Sequence, residues 1–138
     1  MANYITANFI PLKLMLNRPE DWPVFRANNI LWTPTIAFMD RNAKIHYQSP
    51  GFMPPWEFLS MLRIGKAHTL MAWNKSREAG VELLAAAEQK NSFAPEALYW
   101  LGVASFFEKR GTVGMFTAWD RLTEEYPGTP WAMRVYPH

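Results

Sequence analysis

The chain contains no cysteine among its 138 residues. Disulfides, thiolate metal ligands and thiol nucleophiles are thereby excluded, while the compartment is left open. Charge is scarce as well. Asp, Glu, Lys and Arg make up 19% of the residues, and 14 basic against 12 acidic groups leave a formal net charge of +2. The longest basic cluster is Lys109-Arg110, far short of the clustered patch that neutralises phosphates, so no nucleic-acid partner is expected. No apolar run approaches the roughly 20 residues that span a bilayer. Met1-Ala2-Asn3-Tyr4 also lacks the basic start and unbroken apolar stretch of a signal peptide. The expectation is a cytoplasmic chain that does not engage membranes.

Three histidines, His46, His68 and His138, show no metal-ligand spacing, so neither a metal nor another cofactor is expected. His46 reads as a strand-surface residue with no carboxylate partner. Glu20-Asp21 and Glu124-Glu125 read as solvated helix-end charges rather than as an acid–base pair.

What is present is apolar and aromatic. Hydrophobic residues make up 49% of the chain, which excludes intrinsic disorder, and aromatic residues reach 15%, with seven Trp, nine Phe and five Tyr. Large rings fill cores, but such an excess also points to surface that faces a partner.

Texture divides the sequence near residue 72. Before it, short apolar runs alternate with Pro, Asn and Gly; after it, Ala, Leu and Glu dominate with few breakers. Residues 9–16 form an apolar run too short for a helix and read as a strand, with Pro11 at an edge or bulge. Asn17 or Arg18, Pro19 and the two acids after it open a short helix ending near Asn28-Asn29. Strands are expected at 35–40 and 44–48, joined by the tight turn of Asp40, Arg41, Asn42 and Ala43 as an antiparallel hairpin. Ser49-Pro50-Gly51 should break it. Helices are expected at 56–72, 76–90, 95–109 and 113–125. Phe58, Leu59, Met61 and Leu62 should line the first of these, Ala79, Leu83, Leu84 and Ala87 the second, and Leu98, Leu101 and Ser105 the third.

Trp32-Thr33-Pro34-Thr35 lies after a short helix and directly before the hairpin, where a proline cannot sit inside a central strand and X-Pro is the one common cis peptide bond. The order strand, helix, Thr-Pro-Thr, hairpin, helix resembles the C-terminal half of the thioredoxin fold, over residues 4–70. Pro34 matches that family's cis-proline, Asp40 to Lys44 its hairpin turn, and Gly51 the glycine near its last strand. Ala43 departs from the glycine usual in the turn and resists positive φ. The redox Cys-x-x-Cys half has no counterpart, and residues 1–8 read as the end of the helix that would follow it. No nucleophile carries over. The resemblance implies instead that Trp32, Thr33 and Pro34 form a loop on which an extended peptide docks; the plainer alternative makes Pro34 a turn residue shaping the sheet. In the family a further strand separates the segment at 9–16 from the hairpin. Here that segment must slide in beside the hairpin, or a partner must fill the gap. Because an open apolar edge invites aggregation unless covered, a homodimer built across the sheet is expected.

Gly65 and Gly102 each follow an aliphatic residue on a helix, and Asn91 and Pro127 close the helices after them. Their spacing is near the period of about 34 residues of tetratricopeptide repeats. Residues 96–102 with Trp119, Leu122, Tyr126 and Pro127 resemble one such repeat, although Met115 and Phe116 stand where a small residue is usual. Tyr99, Trp100, Phe106, Phe107, Trp119 and Trp131 serve helix packing on the plainer reading. Phe106 and Phe107 are adjacent and cannot both enter one core, so Trp100, Phe106, Phe107 and Trp119 are the candidates for contact with a partner.

The expected fold is thus α/β: an incomplete thioredoxin-like three-stranded sheet with helices over 1–72, and tetratricopeptide-like α-hairpins over 73–138. The expected function is a non-catalytic, self-associating module that binds a protein or peptide. The alternative is a piece of a thiol–disulfide oxidoreductase whose catalytic cysteines lie upstream of this chain.

Overall fold

A computed structural model describes residues 1–135. Among these the fold is mixed α/β, with six α-helices and one two-stranded antiparallel sheet. The chain packs as two compact units, Met1–Met53 and the chain from Pro54 on. Compact packing therefore divides ahead of the long helix, whereas the change of sequence texture falls after it.

The first unit opens with α1 (Ala2–Asn8). A 3-10 turn at Pro19–Asp21 leads into α2 (Trp22–Ala27), with prolines in the first positions of both, where a missing N–H costs nothing. Asn29 closes α2 with φ 53°, and Ile30 N–H donates back to the Phe25 carbonyl at 2.9 Å. Asn is among the few side chains that accept this left-handed position.

Strands β1 (Thr35–Met39) and β2 (Ile45–Pro50) form the hairpin. They pair from Thr35↔Pro50 to Phe38↔Tyr47, with a bulge before Met39↔Ile45. The break expected at Ser49-Pro50 does not occur there. Gly51 N–H donates to the Pro34 carbonyl at 2.7 Å just outside the Thr35↔Pro50 pair, which makes that pair the non-hydrogen-bonded kind. Pro50 is thus asked for no N–H toward β1, and the strand runs on through it.

Residues 9–16 do not form the expected third strand; the sheet has two strands. Pro11 offers no donor, and the ends of the segment are held elsewhere. Phe9 N–H caps α1 through the Ile5 carbonyl at 2.8 Å, Met15 N–H donates to Asp21 Oδ2 at 2.8 Å, and Trp22 Nε1 donates to the Leu16 carbonyl at 2.8 Å. Asp21 is consequently buried, contrary to the solvated helix-end charge read from sequence.

The core of this unit is small. Edge-on aromatic contacts run from Tyr4 to Phe9 at 6.0 Å and from Phe9 to Phe38 at 5.6 Å, and Tyr47 follows at 5.9 Å. Only Phe25 and Phe38 among its large apolar side chains are buried.

The second unit is helical: α3 (Pro55–Ala72), α4 (Ser76–Ala87), α5 (Ala94–Lys109) and α6 (Val113–Glu125), then a 3-10 turn at Ala132–Arg134. Each helix packs on the next, and α3 also reaches α5. Met61, Ile64, Leu83, Leu98 and Leu122 are fully buried, surrounded by Ala67, Ala79, Ala86, Ala87, Ala97 and Ala104. Small residues at these positions let the helices approach closely. Some details depart from expectation: Phe58, Leu59, Leu101 and Ser105 are half-buried rather than core, and Leu84 is exposed. Ala86 joins the stripe in its place, beside Ala79, Leu83 and Ala87. Between α3 and α4 the nearly buried Glu82 accepts from Arg63 Nη1 at 2.8 Å and Lys66 Nζ at 2.7 Å, so its charge is matched from two sides.

The tightest contact lies between α5 and α6. A Cβ built on Gly102 would stand 2.7 Å from Trp119 Cδ1 and 3.1 Å from the Met115 carbonyl oxygen. The indole can then donate from Nε1 to the Tyr99 carbonyl at 3.0 Å. Gly102→Ala is expected to lower stability by about 1–3 kcal/mol through overpacking. Urea unfolding measures it, and an unchanged midpoint would contradict so close an approach.

Candidate functional site

The loop from α2 to β1 carries the docking residues read from the sequence. The Thr33–Pro34 peptide bond is cis. On either side the backbone is pinned: Thr35 Oγ1 donates to the Trp32 carbonyl at 2.7 Å, and the Pro34 carbonyl accepts from Gly51. The side chains of Leu31 and Trp32 at the start of this loop are 91% and 69% exposed, and Thr33 and Pro34 are exposed with them. Two large apolar side chains held in water by a hydrogen-bonded loop form the kind of surface that partners cover.

Beside this loop lies an open groove of about 460 Å³ lined by Leu16, Trp22, Phe25, Arg26, Asn29, Ile30 and Leu31. Its walls are mostly apolar, with Asn29 and one cation: the Arg26 guanidinium carbon sits 5.7 Å from the Trp22 ring centroid. Sequence reading passed over this groove. The signal was there in Trp22 and Phe25 one turn apart on a short helix, followed by Ile30-Leu31 just before the loop.

The sheet has an open side as well. With Thr35↔Pro50 a non-hydrogen-bonded pair, the alternation of an antiparallel ladder turns the backbone groups of Ile36 and Phe38 toward β2 and those of Thr35 and Ala37 away from it. No third strand receives them among the described residues. On the far side of β2 the outward positions are Gln48 and Pro50, and Pro50 has no N–H to offer. The edge able to accept another strand is β1.

The candidates on the helical unit divide. Trp119 is committed to packing: its ring stacks on Tyr99 at 5.6 Å and its N–H is bonded. Trp100 is half-buried between His68 at 4.5 Å, Tyr99 at 5.4 Å and Trp131 at 6.4 Å. Phe106 and Phe107 meet edge-on at 5.7 Å, and both are exposed, Phe107 at 61%. The α5 pair is therefore available to a partner, whereas the two indoles hold helices together.

His46 is not the unpartnered surface residue read from sequence. The bulge before Met39↔Ile45 brings its Nε2 to 2.8 Å from Asp40 Oδ2, with both side chains almost wholly covered. Asp40 Oδ1 meanwhile accepts from Asn42 N–H at 2.8 Å and Lys44 N–H at 3.1 Å. The carboxylate thus ties the turn in which Ala43 adopts φ 61°. The pair touches no nucleophile, and its work is to hold the hairpin. Among the described residues no group of three or more His, Asp or Glu could hold a metal ion. His68 lies against Trp100, and His138 falls outside the described residues. No helix among the described residues is long and apolar enough to cross a membrane.

Compared with protein-family models, with curated proteins and with solved structures, the chain matches none.

Hydrogen bonding from His46, supported by the Lys44 and Asn42 amides, lowers the Asp40 pKa from 3.8 to about 2. A carboxyl depressed on folding stabilises the fold above its unfolded pKa, and that contribution is lost as pH falls through the folded one. The Asn42 and Lys44 amide shifts are therefore expected to titrate near pH 2 and to lose that titration in Asp40→Asn. A midpoint at the ordinary carboxylate value would contradict the geometry.

Proposed function

We propose that this chain is a non-catalytic protein- and peptide-binding module that self-associates, its first unit thioredoxin-like and its helical unit tetratricopeptide-like. The order helix, extended segment, helix, proline loop, hairpin, helix supports the first likeness. Helices packed pairwise in sequence, with α3 reaching α5, support the second. A chain without cysteine conducts no thiol–disulfide exchange of its own.

One observation carries the binding role. The first unit buries only Phe25 and Phe38 among its large apolar side chains, while Ile10, Leu12, Leu31, Trp32 and Phe52 are exposed in a unit whose sheet has two strands. Isolated two-stranded hairpins are marginal in water, and exposed apolar surface beside an open edge is how extended polypeptides are captured: main-chain bonds supply affinity and side-chain pockets supply selectivity.

The alternative, a piece of a thiol–disulfide oxidoreductase whose cysteines lie outside this chain, draws on the same unpaired extended segment, since a sheet short of a strand suits both. A fluorescein-labelled decapeptide of alternating valine and serine distinguishes them. On the binding reading the chain itself takes it up, seen as a rise in anisotropy. Trp32→Ala is expected to weaken that uptake about tenfold, or roughly 1.4 kcal/mol, with the circular dichroism unchanged. No uptake by chain diluted below its self-association, where the β1 edge is open, or equal uptake by the variant, would overturn the assignment of the loop.

A further inference from the structure

The first unit holds two unsatisfied backbone surfaces of complementary kind. One is the outer edge of β1, where Thr35 and Ala37 point their N–H and carbonyl groups away from β2. The other is the extended stretch at residues 10–14, which enters no backbone hydrogen bond among the described residues. Ile10, Leu12, Leu14 and Leu16 fall on one side of an extended chain by the two-residue period of a strand. Ile10 is 97% exposed and Leu12 75%. An apolar strand face without a sheet and a sheet edge without a strand are thus present in the same molecule.

They do not meet within one chain, because the stretch is anchored at both ends. Phe9 is tied to α1, and Met15 and Leu16 are tied to Asp21 and Trp22 at the start of α2. A second copy can reach the stretch where it stands, since Ile10 and Leu12 already face solvent.

Resting on the self-association proposed above, we propose that residues 10–14 of one copy add as a strand to the β1 edge of a second copy, the main-chain groups of Ile10, Leu12 and Leu14 facing Thr35 and Ala37 so that Pro11 faces away from the ladder. Two-fold symmetry makes the contact reciprocal, so each copy both gives and receives a strand. Charge does not oppose it: Lys13 is the only charged residue in the donated stretch, and β1 carries none. β2 does not compete for the stretch, because Pro50 interrupts its outer row of donors.

Light scattering on the full chain at micromolar concentration is expected to give twice the 16.0 kDa chain mass. Leu12→Asp is expected to weaken the dimer at least about tenfold. Leu12 is exposed, so this change removes nothing from the core. Val81→Asp on the exposed side of α4 is expected to leave the dimer intact. Amide exchange read by NMR supplies a second, variant-independent measurement. Thr35 and Ala37 should be protected in the dimer and lose that protection in Leu12→Asp, while Ile36 and Phe38, bonded within the hairpin, stay protected in both. A monomer, a dimer that survives Leu12→Asp, or a dimer whose Thr35 and Ala37 amides exchange freely would each overturn the strand exchange. If such a chain still takes up the valine–serine decapeptide, strand exchange alone fails and the binding module stands. If it takes up nothing, both fail.

Discussion

A strand edge cannot be left dry and unpaired, and this requirement governs the first unit. Each buried N–H and carbonyl must find a partner in the protein or in water. A hairpin of two strands satisfies one row of groups and leaves the other to solvent. Where the surroundings are polar this costs little. Here the open row of β1 belongs to a unit in which Ile10, Leu12, Leu31, Trp32 and Phe52 already stand exposed. The arrangement suits a unit completed from outside, and the self-association and peptide docking proposed for this chain both follow from that need.

The helical unit is complete by contrast. Its core side chains Met61, Ile64, Leu83, Leu98 and Leu122 are fully buried, its buried Glu82 is matched by Arg63 and Lys66, and Gly102 clears the space that Trp119 fills. Much of the chain's unusual aromatic content is used here. Tyr99, Trp100, Trp119 and Trp131 form one cluster, and the Arg134 guanidinium lies 4.2 Å from the Trp131 ring centroid. Trp22, Trp32, Phe52, Trp56, Trp73 and the Phe106–Phe107 pair remain exposed.

The four long helices were legible because apolar spacing and breakers agreed: Asn74, Lys90 and Arg110 each take the positive φ that ends a helical run or follows it. The hairpin was legible from Asp40 and the apolar runs on either side. The third strand was misread because a short apolar run along residues 9–16 records what the stretch could do and not whether a neighbour exists to pair with it. Likewise Pro50 looked like a stop until its register showed that no N–H was needed. The Asp40–His46 pair depends on a bulge, and the burial of Asp21 depends on where Met15 ends up; neither has a local signature. Of the candidate site, the exposed Trp32 loop and Phe106–Phe107 were visible in the sequence. The outward face of Thr35 and Ala37 was not, since it comes from tertiary arrangement, and the groove beside Trp22 was announced only by the spacing of Trp22, Phe25 and Ile30-Leu31.

Thermal unfolding of the full chain across about a hundredfold range of protein concentration tests most directly whether the first unit is completed by a second copy. Association that stabilises only the folded state raises the unfolding midpoint by mass action. A transition involving the hairpin that climbs steadily with concentration is the result expected. A midpoint indifferent to concentration, with the hairpin fully formed at the lowest concentration, would mean that the unit stands by itself and that its open edge needs no strand from another copy.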